Sequence, residues 1–131
     1  MTVNSDKKSV LIVDDAPETL SLFEQALGSL DCTVYTTTSG QEAVDMTIEN
    51  DGFDLILLDV NMPGMNGYRV AELIRKSQKF KSIPIVFITA SHTDERDAAR
   101  GYEVGAVDYL TKPLDLEILL NTVQSLLVVN K

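Results

Sequence analysis

The sequence predicts a doubly wound α/β fold, a parallel sheet of five strands with a helical segment after each. Two observations carry this expectation. Five short apolar runs occupy residues 10–13, 33–36, 55–58, 85–88 and 107–110, and the segments between them show helical period. A third locates the chemistry: reactive polar residues follow closely on four of the five runs, where open parallel sheets build their sites.

The first run, VLIV at 10–13, is apolar throughout, as a strand covered on both faces must be, and it ends at Asp14 and Asp15. Leu20, Phe23, Leu27 and Leu30 then recur at three and four residues and line one face of a first helix. The second run, TVYT, is followed by a helical segment at 40–49 but by no reactive group. An edge strand away from the site explains that, and the known order 2-1-3-4-5 puts the second strand at an edge. The third run, LILL, leads into Asp59 and a helical segment at 68–76; the fourth, IVFI, leads into Thr89 and a segment at 94–103. The fifth run, VDYL, is followed by Lys112, and Leu116, Leu119, Leu120, Val123 and Leu127 mark the stripe of a last helix. Crossovers between such strands are right-handed.

With 131 residues, 44% of them hydrophobic, the chain suits one domain with a buried core. We place that domain at 9–128, between a polar tail at 1–8 and a short end at 129–131 that a linker could continue. Eleven Lys and Arg against 20 Asp and Glu leave a net charge of −9, which argues against a direct grip on nucleic acid. No run approaches the ~20 apolar residues of a membrane span. The polar start also lacks the apolar stretch of a secretory signal, so a cytoplasmic location and no membrane partner are expected. Cys32 stands alone, which rules out an internal disulfide and reads as a small apolar side chain.

Bringing Asp14, Asp15 and Asp59 to one sheet edge raises mutual repulsion that a cation relieves. Mg²⁺ suits carboxylate oxygens and often completes its shell with phosphate; Mn²⁺ can take its place. One carboxylate can then act as a nucleophile toward a phosphoryl group, with Lys112 and Thr89 contacting the phosphoryl oxygens.

Four stretches go further: VLIVDD at 10–15, DLILLDVNMPGMNG at 54–67, PIVFITA at 84–90 and GAVDYLTKP at 105–113. In this order and spacing they resemble the receiver domains of the response-regulator superfamily, chemotaxis regulators among them, over residues 9–127. The resemblance implies the five-unit, flavodoxin-like form of the fold. It makes Asp59 the phosphoacceptor, Asp15 and Asp59 direct Mg²⁺ ligands, Asp14 a ligand through water, and Asn61 a ligand through its backbone carbonyl. Thr89 and Lys112 match the phosphoryl contacts, Tyr109 matches an aromatic that changes rotamer on activation, and the Lys112–Pro113 bond is often cis in the family. A sensor histidine kinase or a histidine phosphotransfer protein is the implied donor, and an output domain or effector protein the implied recipient of the signal. The expected response reshapes the last two strands, the fourth helical segment and the last helix, a surface that a homodimer could also use.

Rival readings are weaker. A turnover phosphohydrolase with an aspartyl-phosphate intermediate would need a carboxylate two residues after the nucleophile, where Asn61 stands. The chain is therefore expected to catalyse its own phosphorylation and dephosphorylation and not to be an enzyme on external substrates. A flavin-binding module would need stacking aromatics, and there is no Trp. Gly64 and Gly67 fit neither the dinucleotide fingerprint nor the P-loop and read as turn residues. His92 reads as a solvated loop residue. The last helix carries Ile118, Leu126, Val128 and Val129 beyond its core stripe, more apolar surface than a monomer's terminal helix needs.

Overall fold

Strands that are apolar along their whole length are stable only between two layers, and the chain meets that demand with one sheet and helices on both faces. The computed structural model describes residues 8–49, 52–77, 81–89 and 106–129. In chain order the elements are β1 (Lys8–Val13), α1 (Pro17–Leu27), β2 (Cys32–Thr37), α2 (Gly40–Glu49), β3 (Leu55–Asp59), α3 (Gly67–Arg75), β4 (Ile85–Thr89), β5 (Ala106–Thr111) and α4 (Leu116–Val129). The expected helix at 94–103, His92 and the tail at 1–7 lie outside the described residues.

All strand pairs are parallel and the spatial order is β2-β1-β3-β4-β5, as expected. Register sets the site. Val13 pairs with Leu58, Asp59 with Ile88, and Thr89 with Thr111, so the carboxyl ends of β1, β3, β4 and β5 meet at one edge. β3 and β4 are buried at every residue, whereas β2 is half-buried over most of its length, as an edge strand should be.

Alternation along the strands divides the core into two layers. Leu11, Val13, Ile56, Leu58 and Phe87 face α2 and α3, where Ala43, Val44, Val70, Ala71 and Ile74 meet them. Val10, Ile12, Leu57, Val86 and Ile88 face α1 and α4, against Leu20, Phe23, Leu27, Leu119, Val123 and Leu127.

Two helical stripes differ in detail from their sequence pattern. Helix α1 stops at Leu27, capped through the Gly28 N–H to the Glu24 carbonyl, so Leu30 packs on the core from the following turn and not from the helix. In α4, Leu116 is 50% exposed although it shares the spacing of the stripe, while Leu126, expected to be surplus, packs against the core. Ile118 is exposed as expected; the side chains of Val128 and Val129 lie outside the described residues.

Candidate functional site

Each reactive residue is fixed by the strand it follows. Asp14 is fully buried where β1 ends; its N–H donates to the Thr37 carbonyl, continuing the β1–β2 pairing by one residue. Its Oδ1 accepts from the Ala16 N–H at 2.9 Å, a local Asx turn that starts the turn into α1. Asp15 beside it is exposed.

Asp59 closes β3 and is 2% exposed. Its Oδ1 accepts from the Asn61 N–H at 3.1 Å. The loop after it returns at once: the Val60 N–H donates to the Ile88 carbonyl and the Gly67 N–H to the Val60 carbonyl. Gly64 bears the turn with φ of 85°, a left-handed conformation glycine adopts without a Cβ penalty. Helix α3 then begins under an Asn66 cap, whose side chain accepts from the Arg69 N–H.

Lys112 is drawn in by its own backbone, its N–H donating to the Thr89 carbonyl at 2.8 Å, and the Lys112–Pro113 peptide is cis. Its Nζ stands 3.0 Å from Asp14 Oδ2 and 3.8 Å from Asp59 Oδ2. The first contact is a close ion pair that gives the buried Asp14 Oδ2 its counter-charge. Burial works to lower the Lys112 pKa, but the hydrogen bond and charge of Asp14, and then the charges of Asp59 and Asp15, outweigh it and raise the value. Thr89 Oγ1 lies 3.5 Å from Asn61 Oδ1, at the limit of a hydrogen bond.

One oxygen each from Asp14, Asp15 and Asp59 lies within 4.8 Å of the others. Three carboxylates so close, two of them buried, fit a hard divalent cation. Without one, Asp59 titrates at about 6, up from 3.8, because burial and the Asp14 charge penalise its anion more than the Asn61 N–H and Lys112 favour it.

That raised value bears on stability. The unfolded carboxyl ionises at 3.8 and the folded one at about 6, so the folded state holds the proton more tightly; the stability this gives is complete below 3.8 and is lost as pH rises through 6. The loss amounts to ~3 kcal/mol. We expect MgCl₂ to raise the urea midpoint at about pH 7.5, where the anion needs a counter-charge, and to have little effect at about pH 4.5. Equal stabilisation at both pH values would contradict the assignment.

The sequence-predicted residues Asp14, Asp15, Asp59, Asn61, Thr89 and Lys112 thus converge. Tyr109 does not join them. Its ring lies 5.5 Å from that of Phe87 and its hydroxyl 3.2 Å from that of Tyr68. Two residues carry more than their sequence pattern indicates. Tyr68 pairs with Tyr109, and Gly67 is less a turn residue than a close approach: a Cβ there would overlap the Asp59 carbonyl oxygen. Among the described residues, no helix is long and apolar enough to cross a membrane.

Comparison with known proteins agrees with this geometry. The family described as "Response regulator receiver domain" matches residues 10–124. "Protein PilH" of Pseudomonas aeruginosa is 33% identical over 118 residues, covering 90% of this chain and 96% of that protein. "Sensor histidine kinase CheAY" of Helicobacter pylori is 36% identical over 116 residues, 88% of this chain and 14% of that protein. The chain spans between 14% and 26% of the length of several such curated relatives. The solved structure of chemotaxis protein CheY4 of Vibrio cholerae superposes with a TM-score of 0.84 at 32% identity, covering 92% of this chain and 98% of that one.

Proposed function

The chain belongs to the response regulator receiver family, and from that membership we propose that Asp59 accepts a phosphoryl group from a phosphohistidine, carried by a sensor histidine kinase or a histidine phosphotransfer protein. Receiver domains are signalling switches of two-component systems. The observation that supports the finer reading is the convergence of three carboxylates and Lys112 at one sheet edge, with Asp14 Oδ2 buried 3.0 Å from the Lys112 ammonium.

Asp14, Asp15, Asp59 and the Asn61 backbone carbonyl would hold Mg²⁺, or Mn²⁺ in its place. The ion supplies charge neutralisation for the phosphoryl oxygens. The rest falls to the chain's own residues. An Asp59 carboxylate oxygen forms a bond to phosphorus as the phosphorus–nitrogen bond breaks, and the departing imidazole keeps the electron pair and takes up a proton. The Asn61 N–H holds Asp59 Oδ1, which orients the carboxylate. Lys112, its charge secured by the raised pKa, neutralises a phosphoryl oxygen, and the Thr89 hydroxyl donates to another.

The new charge then acts on Thr89 and Tyr109, whose movements reshape the surface of β4, β5, α4 and the segment between the last two strands. That surface would engage an output domain or effector protein in the cytoplasm, or a second copy of the chain. We propose that the protein catalyses its own phosphorylation and dephosphorylation and turns over no external substrate.

Acetyl phosphate with Mg²⁺ should add one phosphoryl group to the intact protein, located at Asp59 by peptide mass mapping. EDTA should prevent the addition. A modification elsewhere, or one indifferent to EDTA, would overturn the proposal.

A further inference from the structure

Tyr68 lies on the buried side of α3 and is 2% exposed. Its ring stands 4.8 Å from that of Phe87 in an edge arrangement, and Phe87 stands 5.5 Å from Tyr109, so the three rings form one continuous cluster. The cluster ends in a polar contact: the Tyr68 and Tyr109 hydroxyls are 3.2 Å apart, across 41 residues of sequence. A phenylalanine at position 68 would fill the same apolar space. The hydroxyl therefore adds something that packing alone does not require, a hydrogen bond whose partner is the aromatic side chain of β5.

We propose that Tyr68 is a positioning residue for Tyr109: the hydroxyl pair holds the Tyr109 ring inward against Phe87, and so strengthens binding of a phosphoryl group at Asp59. The second half rests on the reading of Tyr109 as a switch. A contact made only in the inward position raises the population of that position. By linkage it also raises the affinity of any ligand that favours the inward position. One neutral hydrogen bond of ~1 kcal/mol corresponds to about a fivefold shift.

A double-mutant cycle over wild type, Tyr68→Phe, Tyr109→Phe and the double variant tests this, read by urea unfolding and by affinity for beryllofluoride with Mg²⁺. We expect each single variant to bind beryllofluoride about fivefold more weakly and the double variant no more weakly than either. Affinity for Mg²⁺ alone should not change. Losses that multiply in the double variant, in both unfolding and binding, would overturn the proposal, as would unaltered beryllofluoride affinity in Tyr68→Phe. The tyrosine-ring NMR signals of the wild type separate the two layers of the argument. If beryllofluoride leaves the Tyr109 ring signals in place, the switch reading fails, and the unfolding cycle alone then decides whether Tyr68 positions Tyr109.

Discussion

Asp59→Asn is expected to abolish labelling by acetyl phosphate while making the metal-free protein more stable. The loss follows from chemistry: an amide has no anionic oxygen with which to form an acyl phosphate. The gain follows from electrostatics. At neutral pH Asp59 is ionised against its environment, its pKa raised from 3.8 to about 6 by burial and the Asp14 charge. An asparagine keeps an oxygen able to accept from the Asn61 N–H and removes the charge. The expected gain is ~2–3 kcal/mol at about pH 7.5, shrinking toward zero below about pH 4, where the wild-type carboxyl is already neutral. Urea unfolding at the two pH values, with intact-mass measurement of labelling, checks both halves. A destabilised but unlabelled variant would show that the carboxylate is held by contacts more favourable than those described.

Gly67→Ala is expected to destabilise the chain by ~2–3 kcal/mol and to slow labelling at Asp59 at least tenfold. The added Cβ would overlap the Asp59 carbonyl oxygen and come within 3.0 Å of the Asp59 carbonyl carbon and of Val60 Cα. These are backbone atoms and cannot swing aside, so the strand end carrying the nucleophile must move. Gly64→Ala is the control. Nothing lies within 4 Å of a Cβ there, and only the φ of 85° is unfavourable, so a penalty of ~1 kcal/mol with normal labelling should result. Wild-type stability in Gly67→Ala would remove Gly67 from the account of the site.

Why the site was legible in sequence and parts of its surroundings were not has a physical basis. Asp14, Asp59 and Thr89 each sit directly after a buried apolar run, and parallel register carries such ends to one edge. Lys112 follows β5 for the same reason, tied to Thr89 through its backbone. The strand order rested on a known pattern, since nothing in the runs themselves states which strands are neighbours. Gly67 could not be separated from Gly64 by sequence, because a close approach depends on what the backbone meets in space. The helical segment at 68–76 and the period of three and four that marks Leu116 give a helix without giving its rotation or the partner across it. Leu116 therefore turned outward at 50% exposure, Leu126 turned inward, and the Tyr68–Tyr109 pair stayed out of view.

Asp14 divides its carboxylate between two tasks. One oxygen closes the turn that launches α1, and the other faces the Lys112 ammonium. The side chain has two rotatable bonds and both ends of its carboxylate are spoken for, so it cannot trade one task for the other without loosening the start of a helix. The acidic edge is in this sense specified in lengths as much as in charges: one methylene more at position 14 would preserve the formal charge and forfeit the fit.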